Sequence, residues 1–207
     1  MNTPFKFLPS GQLVDRELEL VLARTVPADP VKCHCPSYEF AMVHAHRRTV
    51  MGKIRLRIAS TRALRYPGHI GYDVAPKYRG HCYAARSSQL LLPLACAHGL
   101  KTVWLSVNPD NTPSLKTCQL IGARYIETVR IPHDHEMYAI CHHYCRRYLL
   151  ACEGCPETYK TTSPPSPGGA TDNSPAFQHR VVFGTWTSPE GTAEINHNEM
   201  KYAIGYN

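Results

Sequence analysis

Apolar and polar residues alternate along the first third of the chain, and this period of two predicts β-strands. Leu18, Leu20 and Leu22 begin the first strand, and residues 38–44 and 50–58 form two more. Proline-rich residues 27–30 break the chain after the first strand, and basic residues 46–48 make a turn between the other two. The short connections predict an antiparallel meander.

Longer apolar segments follow and predict helices between strands. Residues 69–75 form a fourth strand that ends at Pro76, and residues 80–98 form a helix that Gly99 terminates and Pro93 kinks. Residues 102–107 are a fifth strand. A turn at 109–113 leads into a short helix that ends near Gly122, and 123–131 and 138–150 supply the last strands.

Strand, helix, strand and helix in this order predict a parallel pair within an α+β fold whose mixed sheet is flanked by helices. The sequence changes character after residue 150. Residues 161–175 are dominated by Thr, Ser, Pro and Gly, which bury little apolar surface. We therefore expect a folded domain over 1–150 and a low-complexity, largely disordered tail over 151–207. Apolar pieces at 181–186 and 202–206 leave a docked hairpin as the alternative for the tail.

Composition narrows the class of protein. The 207 residues are 43% apolar, which suits one globular core. The longest apolar run, residues 90–97, is far shorter than the roughly 20 residues of a membrane span, and the N-terminus does not resemble a signal peptide. These features predict a cytoplasmic protein that does not act at a membrane, and they favour reduced thiols for its nine cysteines.

The charge is uneven along the chain. Residues 1–150 hold 20 Lys and Arg against 10 Asp and Glu, whereas the tail holds 3 against 6. A basic domain attracts polyanions, and these include both nucleic acid and a cofactor that carries phosphates. The sequence shows no basic helix or interleaved aromatic pattern typical of RNA binding, so we expect no nucleic-acid partner and keep that role as an alternative.

An anion site is predicted where the fourth strand runs through a basic turn into a helix. Backbone N–H groups at a helix start favour phosphate, and the helix dipole adds partial positive charge. Lys77 and Arg79 add full charges, and Gly80 permits a close approach of the backbone. A turn with solvated basic side chains is the alternative interpretation.

Two motifs in this order resemble those of the GNAT acetyltransferase superfamily. The first is Arg79-x-x-Cys82-x-Ala84, and the second is Asn111-x-x-Ser114-x-x-x-Cys118-x-x-x-Gly122. The similarity covers about residues 13–150 and looks closer to a subgroup of bacterial predicted acetyltransferases. The features shared with that subgroup are residues 52–57, 68–72, 78–81 and 108–111 and the pair Arg147-Tyr148.

The resemblance implies a mixed, splayed β-sheet that binds acetyl-CoA as co-substrate, without a metal. By position, Val74 would bond the pantetheine arm, and Asn111 and Ser114 would flank the other side of the cofactor. The pyrophosphate would lie against Arg79, Gly80, His81, Cys82, Tyr83 and Ala84. Cys82 stands where the superfamily usually has Gly, so its side chain must point away or the turn must open.

The implied reaction is direct attack of an amine on the thioester. Cys118 stands where a proton-donating Tyr is common, and it is either the donor or a small buried helix residue. Asp73 is the candidate base, with His69 and Glu127 as alternatives. The acceptor is an unidentified amine, either a small molecule or a protein, and a homodimer is allowed. A catalytically inactive acyl-CoA sensor or interaction module of the same fold remains the alternative function.

Cysteine and histidine residues also suggest a rival zinc site. Cys152-x-x-Cys155 has the spacing of half a structural site, but the chain has no second C-x-x-C pair. The other members of the set are Cys33, His34, Cys35, Cys141, His142, His143 and Cys145. Alternation along the predicted last strand would scatter several of these ligands, so no metal is expected.

Overall fold

Among the described residues, five antiparallel strands form the larger of two sheets. The computed structural model of the protein describes residues 5–30, 34–139 and 143–152. The strands lie side by side in chain order: β1 Val14–Asp15, β2 Leu18–Val26, β3 Ser37–His44, β4 Thr49–Arg57 and β5 Ile70–Val74. The predicted antiparallel meander is confirmed, because each strand pairs with the preceding one. Short turns join β1 to β2 and β3 to β4, and longer segments make the other two connections.

Three further strands form a separate antiparallel sheet in the order β6-β8-β7. Their bounds are β6 Thr102–Val107, β7 Arg124–Arg130 and β8 Tyr144–Ala151. Cys152, just beyond β8, donates its backbone N–H to Lys101 O at 3.0 Å. This bond continues the pairing of β6 with β8 by one residue. The predicted tail lies outside the described residues apart from its first two residues, as do the segments proposed for a hairpin.

In the described part of the chain, three α-helices pack on the sheets: α1 Tyr83–Leu90, α2 Leu92–Ala97 and α3 Thr112–Leu120. The helix predicted over 80–98 is divided at Leu91, because Pro93 has no N–H and its ring obstructs the carbonyl four residues earlier. Gly99 ends α2 with a φ of +80°, and Leu100 N bonds Ala95 O at 3.1 Å. Single 3-10 turns lie at Pro76–Tyr78 and Glu136–Tyr138.

The two faces of the larger sheet differ in composition. The helix-facing side holds large apolar residues that are almost completely buried, among them Tyr38, Phe40, Met42, Ile54, Leu56 and Ile70. The opposite side carries Arg24, Glu39, Arg55 and Arg57, which keep partial contact with solvent. Strand alternation thus assigns one face to core packing and the other to charge.

Arg86 fixes α1 to the first hairpin. Its Nε donates to Asp15 Oδ2 at 2.5 Å and its Nη1 to Glu17 Oε1 at 2.7 Å. This guanidinium lowers the pKa of Glu17 to about 2. The contact joins the helix that follows the predicted anion site to the far edge of the sheet, and so holds the start of that helix in place.

The expected parallel pairing of β5 with β6 does not form a ladder. β5 is the edge of the five-stranded sheet and β6 is the edge of the three-stranded one. The prediction was wrong in this respect because the chain order of strands and helices does not determine whether neighbouring strands stay in contact. The splayed arrangement implied by the family resemblance is confirmed.

Candidate functional site

The two sheets touch where β5 begins and then separate. His69 N donates to Trp104 O at 2.7 Å, and Trp104 N donates to His69 Nδ1 at 3.1 Å. His69 thus forms hydrogen bonds with both the backbone N–H and the backbone carbonyl of Trp104, and we call this pair of bonds the clasp. This clasp is the vertex of a cleft between β5 and β6.

The clasp requires both a glycine and a neutral histidine. Gly68 has a φ of +66°, and a Cβ there would lie 2.8 Å from Trp104 O. The Nε2 atom of His69 lies 3.2 Å from Ala59 O, a carbonyl that can only accept. Nε2 therefore carries the ring proton and donates it to that carbonyl, while Nδ1 accepts the hydrogen bond from Trp104 N. Burial lowers the pKa of His69 to about 4. Both ring nitrogens of this candidate base are therefore engaged in structural bonds.

The backbone of β5 turns unpaired groups into the cleft. Arg57 N bonds His69 O at 2.8 Å and Ala75 N bonds Met51 O at 2.9 Å, and between these bonds the ladder to β4 alternates. The backbone groups of Tyr72 and Val74 consequently point away from β4, toward β6. Arg79 Nε donates to Val74 O at 3.0 Å. The backbone groups of Val74, the residue that the resemblance assigns to the pantetheine arm, thus face the cleft.

Gly52 holds β4 tightly against this part of β5. It is the register partner of Val74, and a Cβ at residue 52 would lie only 2.3 Å from Asp73 O. Any side chain there would push the cleft-forming strand away. This close approach gives a physical reason for one glycine of the segment 52–57.

Beyond β5 the chain makes a left-handed turn into α1. Gly80 has a φ of +85° and Cys82 a φ of +58°, and Cys82 is the N-cap without a side-chain cap bond. The helical hydrogen bond from Arg86 N to Cys82 O measures 3.0 Å. The backbone N–H groups of Tyr83 and Ala84 come before this bond, so they have no acceptor within the helix. No acidic residue occupies the first turn. The geometry is suited to an anion.

Cys82 stands in the turn at the position where the superfamily usually has glycine. The residue keeps the left-handed backbone that glycine adopts readily, and its side chain is exposed. The turn has therefore kept its shape, at a conformational cost of about 1–2 kcal/mol for a non-glycine residue. His81 is likewise exposed, whereas Tyr83 and Ala84 are buried at the start of the helix.

The second motif begins with a helix cap. Asn111 Oδ1 accepts a bond from Ser114 N at 3.1 Å, and both residues are buried. An Asn cap followed by Pro113 fixes where α3 begins. Asn111 and Ser114, which the sequence assigned to the cofactor, thus have a structural task at this position.

Cys118 and Tyr72 meet in the core beneath the cleft. Cys118 is completely buried, and burial raises the pKa of its thiol to about 12. Burial also raises the pKa of Tyr72 to about 12, with Ser114 and Cys118 close to the phenol. Among the described residues, the Tyr72 hydroxyl has no hydrogen-bond partner of ordinary geometry. Both groups are protonated at neutral pH.

The charged face of the larger sheet meets the cleft at β5. Asp73, the candidate base, is partly exposed and faces Lys53 on β4, and the register places His69 and Arg57 on the same face. Farther out, Glu39 binds both Arg24 and Arg55. Asp73 and His69 therefore share a face as the sequence predicted.

An ion pair between buried Arg147 and partly exposed Glu127 lies on the other wall of the cleft. Arg147 is 4% exposed, its guanidinium carbon lies 4.0 Å from the Trp104 ring centroid, and it donates to Glu127. Glu127, another candidate base, is consequently engaged in this ion pair. The pair joins β7 and β8 to the clasp through Trp104.

Sequence reasoning gave no chemical task to Arg57, Tyr72 or Arg147, although each lies in a segment noted for its family resemblance. For Arg57, the sequence signal was the alternation of side chains along β4. Residues two positions apart share a face of a strand, so Lys53, Arg55 and Arg57 lie on the same face. The contact of Tyr72 with α3 gave no comparable signal in the sequence.

The rival zinc set is only partly described. Within residues 5–30, 34–139 and 143–152, no three His, Cys, Asp or Glu side chains gather as a metal site. Cys33, Cys141, His142 and Cys155 lie outside those ranges. The described cysteines form no disulfide with one another. No helix in the described ranges has the length and apolarity needed to cross a bilayer.

Comparison with known protein families gives one match that includes the cleft. The family model described as "Acetyltransferase (GNAT) domain" matches residues 17–124, just over half of the chain. No curated protein sequence gives a significant match. The matched region includes β5, the turn, α1 and all of α3, and thus both walls of the cleft as far as β6.

A solved structure from Vibrio cholerae shows the same fold as this chain. A putative ribosomal-protein-serine acetyltransferase from Vibrio cholerae is 15% identical, with a TM-score of 0.51 over 70% of this chain and 99% of that one. A GNAT-family acetyltransferase from Bacillus anthracis is 22% identical, with a TM-score of 0.45 over 56% and 67%. RimJ of Mycobacterium smegmatis in complex with CoA-disulfide is 20% identical, with a TM-score of 0.44 over 56% and 54%. The chain belongs to the GNAT acetyltransferase family.

Proposed function

We propose that the protein transfers the acetyl group of acetyl-CoA to an amine of an acceptor by direct attack. The observation that carries this proposal is the cleft between β5 and β6, which opens from the His69–Trp104 clasp toward the uncapped start of α1. An extended amide chain that ends in phosphates fits such a cleft, because unpaired strand groups bind amides and helix-start amides bind phosphate.

The cofactor's binding mode follows from these two surfaces. Arg79 would release the Val74 carbonyl and bind the pyrophosphate instead. The backbone of Val74 would then be free to pair with the pantetheine arm. Backbone amides from Gly80 to Ala84 would contact the same phosphates. Asn111 and Ser114 would support the opposite wall through the start of α3.

The reaction then needs an amine next to the thioester carbonyl. Its nitrogen forms a bond to the carbonyl carbon, the carbon–sulfur bond breaks, and the amine proton leaves to a base. We propose Asp73 as that base, because it is partly exposed on the charged face beside the cleft. The departing thiolate takes up a proton, for which Cys118 is the proposed source. Its thiol is protonated and lies beneath the cleft.

Two measurements test the proposal. Calorimetric titration with acetyl-CoA should show saturable binding, and a thiol-release assay against a panel of amines should show turnover. Asp73→Asn should reduce kcat by about 100-fold or more if Asp73 is the base, and Lys53→Gln, which alters its register partner, is the matched control. An absence of acetyl-CoA binding would refute the proposed function.

The burial of Cys118 supports a second candidate, an acyl-CoA sensor or interaction module without catalysis. A thiol with a pKa near 12 in a closed core is a poor proton donor unless the cofactor opens a path to it. Acetyl-CoA binding without thiol release from any amine would favour this candidate. Loss of turnover in Cys118→Ala, with acetyl-CoA affinity retained, would favour the enzyme.

We further propose that the catalytic domain spans residues 1–150, that 151–207 is an accessory tail, and that the acceptor is a small molecule or protein rather than a nucleic acid or a membrane. Acetyl-CoA binding by residues 1–152 alone would support this division. Salt-dependent binding to DNA or RNA without affinity for acetyl-CoA would contradict it. Light scattering would determine whether the protein is a homodimer.

A further inference from the structure

Arg57 lies at the end of β4 with few protein partners for its guanidinium. Its Nη1 donates to Gly68 O at a long 3.4 Å. Among the described residues, no carboxylate lies within salt-bridge distance of it, whereas Arg24, Arg48, Arg55, Arg86 and Arg147 each have such a partner. The remaining N–H groups of Arg57 are thus left without a protein acceptor in the described part of the chain.

The position of Arg57 is next to the clasp. Its backbone N–H bonds His69 O at 2.8 Å, and its side chain reaches the carbonyl of Gly68, the residue that touches β6. Arg57 therefore borders the closed end of the cleft. In the proposed binding mode the phosphates occupy the open end, so the acyl group lies toward Arg57.

Arg57 has no paired carboxylate among the described residues, although Glu39 and Glu136 favour its charged form from a greater distance. Glu39 binds Arg24 and Arg55, and Glu127 binds Arg147. Burial and the nearby Arg55 together lower the pKa of Arg57 to about 10, which leaves it charged at neutral pH. A partly buried cation without a carboxylate is costly, and an anionic ligand would remove that cost.

We propose that Arg57 binds a carboxylate of the acceptor, so that the acceptor is an amine that also carries a carboxylate, such as an amino acid. This inference rests on the proposed function. A planar guanidinium fork matches a carboxylate through two parallel bonds. One carboxylate also matches the single positive charge of Arg57, which has no salt-bridge partner among the described residues. The partial exposure of Arg57 gives a ligand access to it.

Matched pairs of acceptors test the role of the carboxylate. Each pair consists of an amino acid and its decarboxylated amine: lysine with 1,5-diaminopentane, phenylalanine with phenethylamine, and tryptophan with tryptamine. The wild-type protein should acetylate at least one amino acid with a kcat/KM about 10-fold or more above that of its paired amine. The preference should appear mainly in KM, because Arg57 binds the acceptor without taking part in proton transfer.

Variants then assign that preference to Arg57. Arg57→Gln should lower kcat/KM for the preferred amino acid about 10- to 100-fold and change that of the paired amine less than about 3-fold. Arg57→Lys should recover part of the loss, since it keeps the charge but not the fork. Arg24→Gln, an exposed member of the same charged face, is the control and should leave the preference unchanged. Thermal melting checks that each variant is folded.

Distinct outcomes separate this inference from the proposed function. If acetyl-CoA binds and amines turn over, but decarboxylated amines react as well as amino acids, the inference is overturned and the function stands. A preference for amino acids that persists in a folded Arg57→Gln protein also overturns it. If acetyl-CoA does not bind at all, the proposed function itself fails.

Discussion

The two ends of β5 differ in how they meet the rest of the molecule. At its beginning, Gly68 and His69 bind β6 through close backbone approach and two reciprocal hydrogen bonds with Trp104. At its end, Val74 faces the cleft and bonds only a flexible side chain, that of Arg79, in the contacts observed. Five residues of one strand separate a rigid contact from an unpaired edge.

This difference shows how a sheet can be opened without losing its fold. At the closed end, Gly68 and His69 are buried, and His69 is hydrogen-bonded to β6. The open end is made of partly exposed residues and a turn with left-handed backbone. Substitutions at the closed end should therefore act on stability, and those at the open end on cofactor affinity.

The strongest test breaks the closed end. Gly68→Ala should destabilise the protein by about 2–4 kcal/mol, because the residue has positive φ and its new Cβ meets Trp104 O. Urea denaturation measures this loss. Gly99→Ala is the matched control: φ there is +80°, yet nothing lies within 4 Å of a Cβ, so the loss should be only about 1–2 kcal/mol. Equal losses would show that the approach to β6 is unimportant.

The next test acts on the open end. Arg79→Ala should weaken acetyl-CoA binding by about 1.5–3 kcal/mol, the range for a hydrogen bond to a charged group, while stability changes little. Isothermal titration calorimetry measures the affinity. Lys77→Ala, an exposed cation in the same turn, should have a smaller effect. Unchanged affinity in Arg79→Ala would contradict its assignment to the pyrophosphate.

Acid should weaken the clasp. The pKa of His69 is about 4 when folded, against 6.5 for an ordinary histidine, so the unfolded state binds a proton first as pH falls. Stability is thus complete above about 6.5 and declines toward pH 4, with a loss of about 2 kcal/mol between pH 7 and 5. His98, whose pKa burial also lowers, adds to this trend.

Nuclear magnetic resonance separates the two histidines. The His69 ring resonances should stay in their neutral position down to about pH 5 in the folded protein. Disappearance of the His69 signals in His69→Asn assigns them. A His69 midpoint near 6.5 would mean that the ring does not form the clasp.

The smallest effect concerns the turn at the open end. Cys82→Gly should stabilise the protein by about 0.5–1 kcal/mol, because glycine relieves the left-handed strain but loses some conformational entropy on folding. Cys82→Ala keeps the strain and should leave stability unchanged. Thermal melting of both variants measures the difference. A glycine variant no more stable than the alanine variant would show that the turn is unstrained.

Most strands were predictable because each depends on local alternation. Residues 102–107 were predicted to form a strand, and β6 has those bounds. β3 begins one residue before the predicted strand, and β4 begins and ends one residue earlier than predicted. The start of α1 was placed too early, because the helical apolar pattern does not reveal positive φ at Cys82. The shared face of Asp73 and His69 was predictable for the same local reason as the strands.

The candidate site was predictable only in part. The two motifs located the turn and the start of α3, since their spacing is a property of the chain. The separation of β5 from β6 and the burial of Cys118 depend on contacts between residues more than 30 positions apart, such as His69 with Trp104. Local patterns contain no information about such contacts.

The sequence by itself determined the order of strands and helices, the charged and apolar faces of the larger sheet, and the presence of a basic turn before a helix. These features follow from side-chain periodicity and backbone preferences over a few residues. Only the tertiary structure decided that β5 and β6 touch at one point, that His69 is engaged on both nitrogens, and that Arg57 lacks a carboxylate partner among the described residues. Those properties arise where distant segments meet, because burial and pairing are set by what surrounds a side chain.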